Sequence, residues 1–95
     1  MNASFIKLGS SKYRLKVWNM GKAPARNVRI EFPEGNEIFT ASEIERKFPL
    51  EVLERYGSVE LIAAVRLGSA SKHVVRLRWS DGASEDNKKT VYPTI

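Results

Sequence analysis

The side chains that could do acid–base, nucleophilic or metal chemistry are few and scattered along this chain of 95 residues. His73 is the one histidine and cysteine is absent, so neither a zinc site nor a thiol dyad can be recognised. Asp81, Glu85 and Asp86 could hold calcium in a loop, but their spacing does not fit the calcium-loop template, and a plain acidic loop is favoured. We therefore predict a non-catalytic protein without metal or cofactor, in which His73 is structural or exposed.

Positive charge is the stronger chemical signal. The formal net charge is +5, and residues 1–30 carry seven Lys or Arg and no acid. Residues 31–60 carry eight acids and three bases, and residues 61–95 carry six bases and three acids. This distribution favours anionic partners such as nucleic acid, lipid headgroups or acidic polymers, although the solvated face of an ordinary basic protein gives the same pattern.

The elements that position these charges are mostly strands. Apolar and polar residues alternate over residues 12–18, 28–32 and 73–79, which predicts antiparallel strands with one buried face and one face in water. Shorter segments at residues 4–8 and 90–92 add two more strands. No run approaches the ~20 apolar residues that a membrane-spanning helix needs.

The middle of the chain is ambiguous. Thr40 and Glu43 have the spacing of a capping box, and Ile44 with Phe48 forms an i, i+4 apolar pair. These features predict a helix of one to two turns that ends before Pro49.

Two segments follow the predicted helix. Residues 50–53 form either a short edge strand or an irregular apolar strip. The segment from Ser58 to Leu67 carries apolar side chains on both faces. This pattern indicates the most buried strand of a sheet. The inward positions of all predicted strands define the expected core: Tyr13, Leu15, Val17, Val28, Ile30, Phe32, Leu61, Ala63, Val65, Val75, Leu77, Trp79 and Val91.

Residues 17–28, VWNMGKAPARNV, join two of these strands by a tight polar corner. Asn19 and Gly21 tolerate positive φ, Pro24 fixes its own φ and removes a donor, and the neighbouring alanines fit a crowded site. We expect Gly21 to adopt positive φ.

The pattern V-x-N-x-G-x-A-P-A-x-N-V in this corner resembles the second-to-third strand corner of bacterial and archaeal immunoglobulin-like domains. It is most similar to CARDB, the cell-adhesion-related domain found in bacteria. The resemblance implies a non-catalytic module appended to, or repeated within, a larger envelope or surface protein.

The expected fold is an all-β, immunoglobulin-like antiparallel sandwich of about seven strands with a short helical turn in the crossover. The alternative is an α+β domain in which residues 40–55 form a longer helix. We expect residues 1–95 to be a single domain excised from a longer, membrane-associated or cell-envelope protein. A complete small protein that starts at Met1 is the other interpretation.

Arg29, Arg76 and Arg78 are the first candidates for partner binding. Each alternates with core residues and therefore points outward, and the two strands that carry them are neighbours in an immunoglobulin-like topology. Glu31 lies between them and could neutralise them. Trp18 is a further candidate, because an outward ring can stack on a base or a sugar, although such a ring more often packs on a loop.

Two functions follow from these observations. The first is an accessory module of a larger bacterial protein, which binds a protein partner. The second is a small basic nucleic-acid-binding domain, which the charge supports and the scarcity of outward aromatic residues disfavours.

Overall fold

The computed structural model describes residues 1–10, 12–66 and 68–95 of the chain. These residues form seven β-strands and one helix. In chain order the elements are β1 (Asn2–Gly9), β2 (Lys12–Trp18), β3 (Ala25–Glu31), α1 (Ala41–Lys47), β4 (Leu50–Leu53), β5 (Ser58–Ala63), β6 (Val75–Ser80) and β7 (Asn87–Val91).

The strands form two antiparallel sheets. One has the order β1-β2-β5 and the other the order β4-β3-β6-β7. The predicted all-β fold of about seven strands with one short helix is thereby confirmed. The α+β alternative is wrong, because the helix ends at Lys47 and residues 50–53 pair with β3 as a short edge strand.

One hydrophobic core lies between the sheets, and its fully buried members include Leu15, Leu61 and Leu77. All 13 predicted core residues belong to it: eight are buried, and five are partly buried and pack against the others. The prediction missed seven buried hydrophobic residues: Met1, Ala3, Ala25, Ile38, Phe39, Phe48 and Leu53. Ile38, Phe39 and Phe48 lie outside strands, where alternation gives no signal.

The corner between β2 and β3 is held by Asn19, whose side chain is buried. Its amide nitrogen donates to the carbonyl groups of Ala23 and Leu53 at 2.9 and 3.0 Å, and its amide oxygen accepts from Gly21 N at 2.9 Å. The Asn19 backbone bonds to the β4–β5 turn, because its carbonyl accepts from Tyr56 N at 2.7 Å. Asn19 therefore ties together the connections at one end of both sheets.

The expectation that Gly21 adopts positive φ is wrong. The residue of this region with positive φ is Asn27, at 49° within β3. A short polar side chain such as that of Asn tolerates this conformation. Gly21 matters for space instead, because a Cβ atom there would lie 3.1 Å from Asn19 Oδ1.

The prediction that residues 58–67 form the most buried strand of a sheet is also wrong. The strand β5 ends at Ala63 and lies at the edge of its sheet, and the Ile62 side chain is 54% exposed. The strand β5 stops at Ala63 because its partner β2 extends no further: Ala63 pairs with Tyr13, which lies at the start of β2. Leu67, the last residue of the predicted strand, lies outside the described residues.

Helix α1 covers the free edge of β5. Its N-terminus is capped as predicted, because Thr40 Oγ1 accepts a hydrogen bond from Glu43 N at 3.2 Å. The Glu43 carboxylate does not return to Thr40 but accepts from the edge amide of Ile62 at 2.6 Å. Lys47 Nζ donates to the edge carbonyl of Glu60 at 2.6 Å. These side chains satisfy backbone groups that an uncovered edge strand would offer to another chain.

Candidate protein-interaction face

The outer surface of the four-stranded sheet carries a row of three cations on adjacent strands. Arg29 of β3 lies directly opposite Arg78 of β6, and Arg78 lies directly opposite Lys88 of β7. Neighbouring strands are ~4.8 Å apart, so the row extends across ~10 Å of backbone. We define the basic face as six charged residues at and around this row: Arg29, Arg76, Arg78, Lys88, Glu31 and Asp86.

A β-bulge in β3 aims Arg29 at this surface. The pairing of β3 with β6 passes from Arg26 opposite Ser80 to Arg29 opposite Arg78, which leaves one extra residue on β3. The bulge contains Asn27, the residue with positive φ. An extra residue resets the alternation of side chains, so that Val28 enters the core and Arg29 points outward.

Glu31 neutralises part of the positive charge. It lies opposite Arg76, and its two carboxylate oxygens lie 3.6 Å from Arg76 Nη1 and 3.5 Å from Arg78 Nη1. Both distances are at or beyond the limit of a hydrogen bond, so Glu31 is shared between two guanidinium groups without a bidentate pair.

Asp86 is the second acid of the basic face, and it comes from the loop between β6 and β7. Its Oδ1 accepts a hydrogen bond from Arg78 Nη2 at 2.9 Å. This bond lowers the pKa of the Asp86 carboxyl below its ordinary value, and the charges of Lys88 and Arg29 act in the same direction. The same bond raises the pKa of the Arg78 guanidinium. All three cations of the row therefore act on the Asp86 carboxylate.

Arg29 differs from the other two arginines, because it has no ion-pair partner within 4 Å among the described residues. Three covered atoms, Arg29 Nε, Arg78 Nε and Glu31 Oε1, also lack a hydrogen-bond partner among the described residues. Four cations of the basic face thus meet two acids, and the charge and hydrogen-bonding groups of the face are not fully paired among the described residues.

Sequence reasoning placed Arg29, Arg76 and Arg78 on one surface, and the structure brings them together there. It missed Lys88, because the last strand was expected only at residues 90–92, whereas β7 begins at Asn87. The inward position of Val91 was the available signal, since alternation counted back from it places Lys88 outward. Lysine and asparagine have low β-propensity, and they concealed this strand.

Trp18, the fourth candidate, lies apart from these arginines. It ends β2 in the three-stranded sheet, opposite Asn2 and Ser58, and Lys16 Nζ lies 5.6 Å from the centroid of its ring. A second basic stripe, formed by Lys12, Arg14 and Lys16, lies on β2 of this sheet. Glu60 pairs with Arg14 at 3.2 Å and reduces the charge of that stripe.

His73 lines a cleft of about 260 Å³ together with Glu34, Glu37 and Lys72. Its Nε2 lies 2.8 Å from the carbonyl oxygen of Ala70, and its ring packs edge-on against Phe5 with centroids 5.3 Å apart. Within the described residues, no group of three or more His, Asp or Glu side chains is arranged to hold a metal ion. The histidine ring is therefore engaged in local packing.

The acidic loop folds onto itself and onto the basic face. Asp81 Oδ1 accepts hydrogen bonds from Ala83 N and Ser84 N, each at 2.9 Å, and the bond from Ala83 contributes most to lowering the pKa of Asp81. Asp86 is directed to Arg78. The two carboxylates thus close a turn and neutralise an arginine.

No helix of the described residues has the length and hydropathy of a membrane span. Comparison with known proteins gives no match to a family profile, to a curated protein or to a solved structure. The resemblance to CARDB domains accordingly stays a prediction that depends on the corner motif.

Proposed function

We propose that this chain is a non-catalytic, immunoglobulin-like accessory module of a larger, membrane-associated bacterial protein, and that it binds a protein partner through the basic face. The observation that carries the proposal is the row of Arg29, Arg78 and Lys88 on three adjacent strands, which the acids of the face only partly neutralise. Like charges placed directly opposite in a sheet are destabilising, so their retention is explained if a partner supplies the missing anions.

The order of the strands also supports the immunoglobulin-like assignment. A three-stranded sheet β1-β2-β5 and a four-stranded sheet β4-β3-β6-β7 place the third and sixth strands side by side, as that topology requires. Fold alone does not define a function, so the proposal depends on the charged surface.

The test neutralises the two cations of the basic face that have no ion-pair partner among the described residues, in the variant Arg29→Ala/Lys88→Ala. The matched control is Lys12→Ala/Lys22→Ala, which removes the same charge from exposed positions outside the basic face. Immobilised domains of each type are used to capture proteins from the native cells. A captured protein is then purified, and its affinity for each domain is measured by calorimetry.

We expect the basic-face variant to bind the purified partner at least ~10-fold more weakly, because two charge-assisted contacts are lost. The control should bind within about twofold of the parent domain, and both variants should keep the parent circular dichroism spectrum. Equal affinity of the two variants would contradict the proposal.

A nucleic-acid-binding function is the second candidate, and the row of three cations favours it to some extent. A retardation assay with short DNA and RNA at ~50 and ~200 mM salt separates the two, because phosphate contacts lose affinity steeply over this range. The two acids within the basic face, and the location of the second basic stripe on the other sheet, disfavour this candidate.

A further inference from the structure

We propose that the basic face recognises side-chain carboxylates of an acidic protein segment, and that Asp86 occupies the place of one such carboxylate in the unbound domain. This inference rests on the proposed function, since it names the chemistry of the partner that the same face binds. It adds a residue, Asp86, that competes with the partner.

The first argument is that the face already holds carboxylates. Arg78 donates to Asp86 at 2.9 Å and lies 3.5 Å from Glu31, so the same guanidinium contacts two carboxylates at once. Arg29 and Lys88 flank this arginine in the row. Arg29 has no ion-pair partner in the described residues, and it lies opposite Arg78, which already binds the carboxylate of Asp86. A partner carboxylate brought to Arg29 would therefore form a charge-assisted hydrogen bond there.

The second argument concerns the alternative of a polyphosphate backbone. A nucleic-acid strand would have to lie along a surface that includes two acids, and each would repel it. Stacking rings are also sparse: Trp18 lies on the other sheet, Trp79 packs against the core, and the exposed ring of Tyr92 already has Lys72 Nζ 5.2 Å from its centroid. Isolated carboxylates of a peptide can approach the row between the acids, whereas a continuous chain of phosphates cannot avoid them.

The third argument is that Asp86 can leave its position without disturbing the sheet. Its side chain is 55% exposed and belongs to the β6–β7 loop, whereas Glu31 is part of β3. Ser84, Asp81 and the backbone hold that loop by other hydrogen bonds. A partner carboxylate therefore can replace Asp86 on Arg78 by rotation of one exposed side chain.

The experiment uses a fluorescein-labelled hexaglutamate peptide as the probe and measures its Kd by fluorescence anisotropy at ~50 mM salt. Three domains are compared with the parent: Asp86→Asn, the neighbouring control Glu85→Gln, and Arg29→Ala. In Asp86→Asn the competing charge is removed while the size of the side chain is kept. Glu85 makes no ion pair in the described residues, so the control changes the net charge equally without freeing Arg78.

We expect Asp86→Asn to bind hexaglutamate about two- to fivefold more tightly than Glu85→Gln, which is the effect of one exposed ion pair. Arg29→Ala should bind about fivefold more weakly than the parent domain. If Asp86→Asn binds hexaglutamate no more tightly than Glu85→Gln does, Asp86 does not compete with the ligand and this part of the proposal is overturned. Tighter binding of a 12-nucleotide single-stranded DNA than of hexaglutamate would overturn the carboxylate assignment and support the nucleic-acid candidate.

The outcomes for the inference and for the proposed function are distinguishable. If hexaglutamate does not bind but capture of the native partner still requires Arg29 and Lys88, the ligand class is wrong and the interaction face stands. If hexaglutamate binds as expected but the native partner is indifferent to Arg29 and Lys88, the face binds carboxylates and the proposed function is wrong.

Discussion

Replacement of Glu43 should destabilise the domain more than replacement of any other acid on α1. Its side chain is only 5% exposed, and its carboxylate accepts hydrogen bonds from Ile62 N at 2.6 Å, from Lys47 Nζ at 3.2 Å and from Arg46. Loss of the acceptor leaves the Ile62 amide unpaired at the edge of β5, which costs about 1–3 kcal/mol. The bonds from Lys47 and Arg46 add less, because these cations remain partly solvated.

We therefore expect Glu43→Ala to lower the free energy of unfolding by about 3 kcal/mol, a large fraction of the stability of a small domain. Glu43→Gln keeps an oxygen that can accept from Ile62 and loses only the charge, so about 1–2 kcal/mol is expected. Glu45→Gln, an exposed acid two residues further along the helix, is the matched control and should change stability by less than ~0.5 kcal/mol. Urea unfolding followed by tryptophan fluorescence measures all three.

The Glu43 carboxylate should also make the stability of the domain depend on pH. The backbone hydrogen bond from Ile62 contributes most to lowering the pKa of Glu43 to about 2 in the folded protein. A group whose pKa is lower in the folded state stabilises the fold above its unfolded pKa of about 4.5, and this stabilisation is lost as the pH falls towards 2. Glu43→Gln resembles the protonated form, so the difference between parent and variant should be largest near pH 7 and should shrink between pH 4.5 and 2.

Two results would refute this reasoning. One is a difference between the parent domain and Glu43→Gln that stays constant from pH 7 to 2.5. The other is a Glu43→Ala variant that is as stable as Glu45→Gln, since that would mean water satisfies the Ile62 amide as well as the carboxylate does.

Two further predictions concern the end of the molecule held by Asn19. Asn19→Ala removes the three hydrogen bonds of a buried side chain and should lower the free energy of unfolding in urea by about 2–3 kcal/mol. Lys22→Ala in the same corner should stay within ~0.5 kcal/mol, and equal effects of the two variants would contradict the role of Asn19. Tyr56 is exposed and has a φ of 66°, a conformation that glycine adopts without strain. Tyr56→Gly should therefore stabilise the domain by about 1 kcal/mol and raise its melting temperature. An unchanged or lower melting temperature would show that the contact of the Tyr56 ring with Arg55 outweighs the strain.

The basic face could be predicted only in part. Alternation told which way Arg29, Arg76 and Arg78 point, because the direction of a side chain in a strand depends on the pleat of its own backbone. The carboxylate between them, Glu31, followed from the same pattern. Lys88 was missed because the low β-propensity of its strand concealed the start of β7, and the role of Asp86 could not be predicted because it depends on how a polar hairpin pairs with β6.

Sequence by itself determined the local features of this protein: the alternating strands, the capped start of α1 at Thr40, and the polar corner around Asn19. Each depends on residues a few positions apart, where sterics and hydrogen bonding act within one segment. Tertiary structure alone decided that β5 is an edge strand, that Glu43 bonds to Ile62, and that Arg29 lies opposite Arg78. These depend on the register between segments distant along the chain, which is set by the fit of all core side chains together and leaves no periodic signal in any one of them.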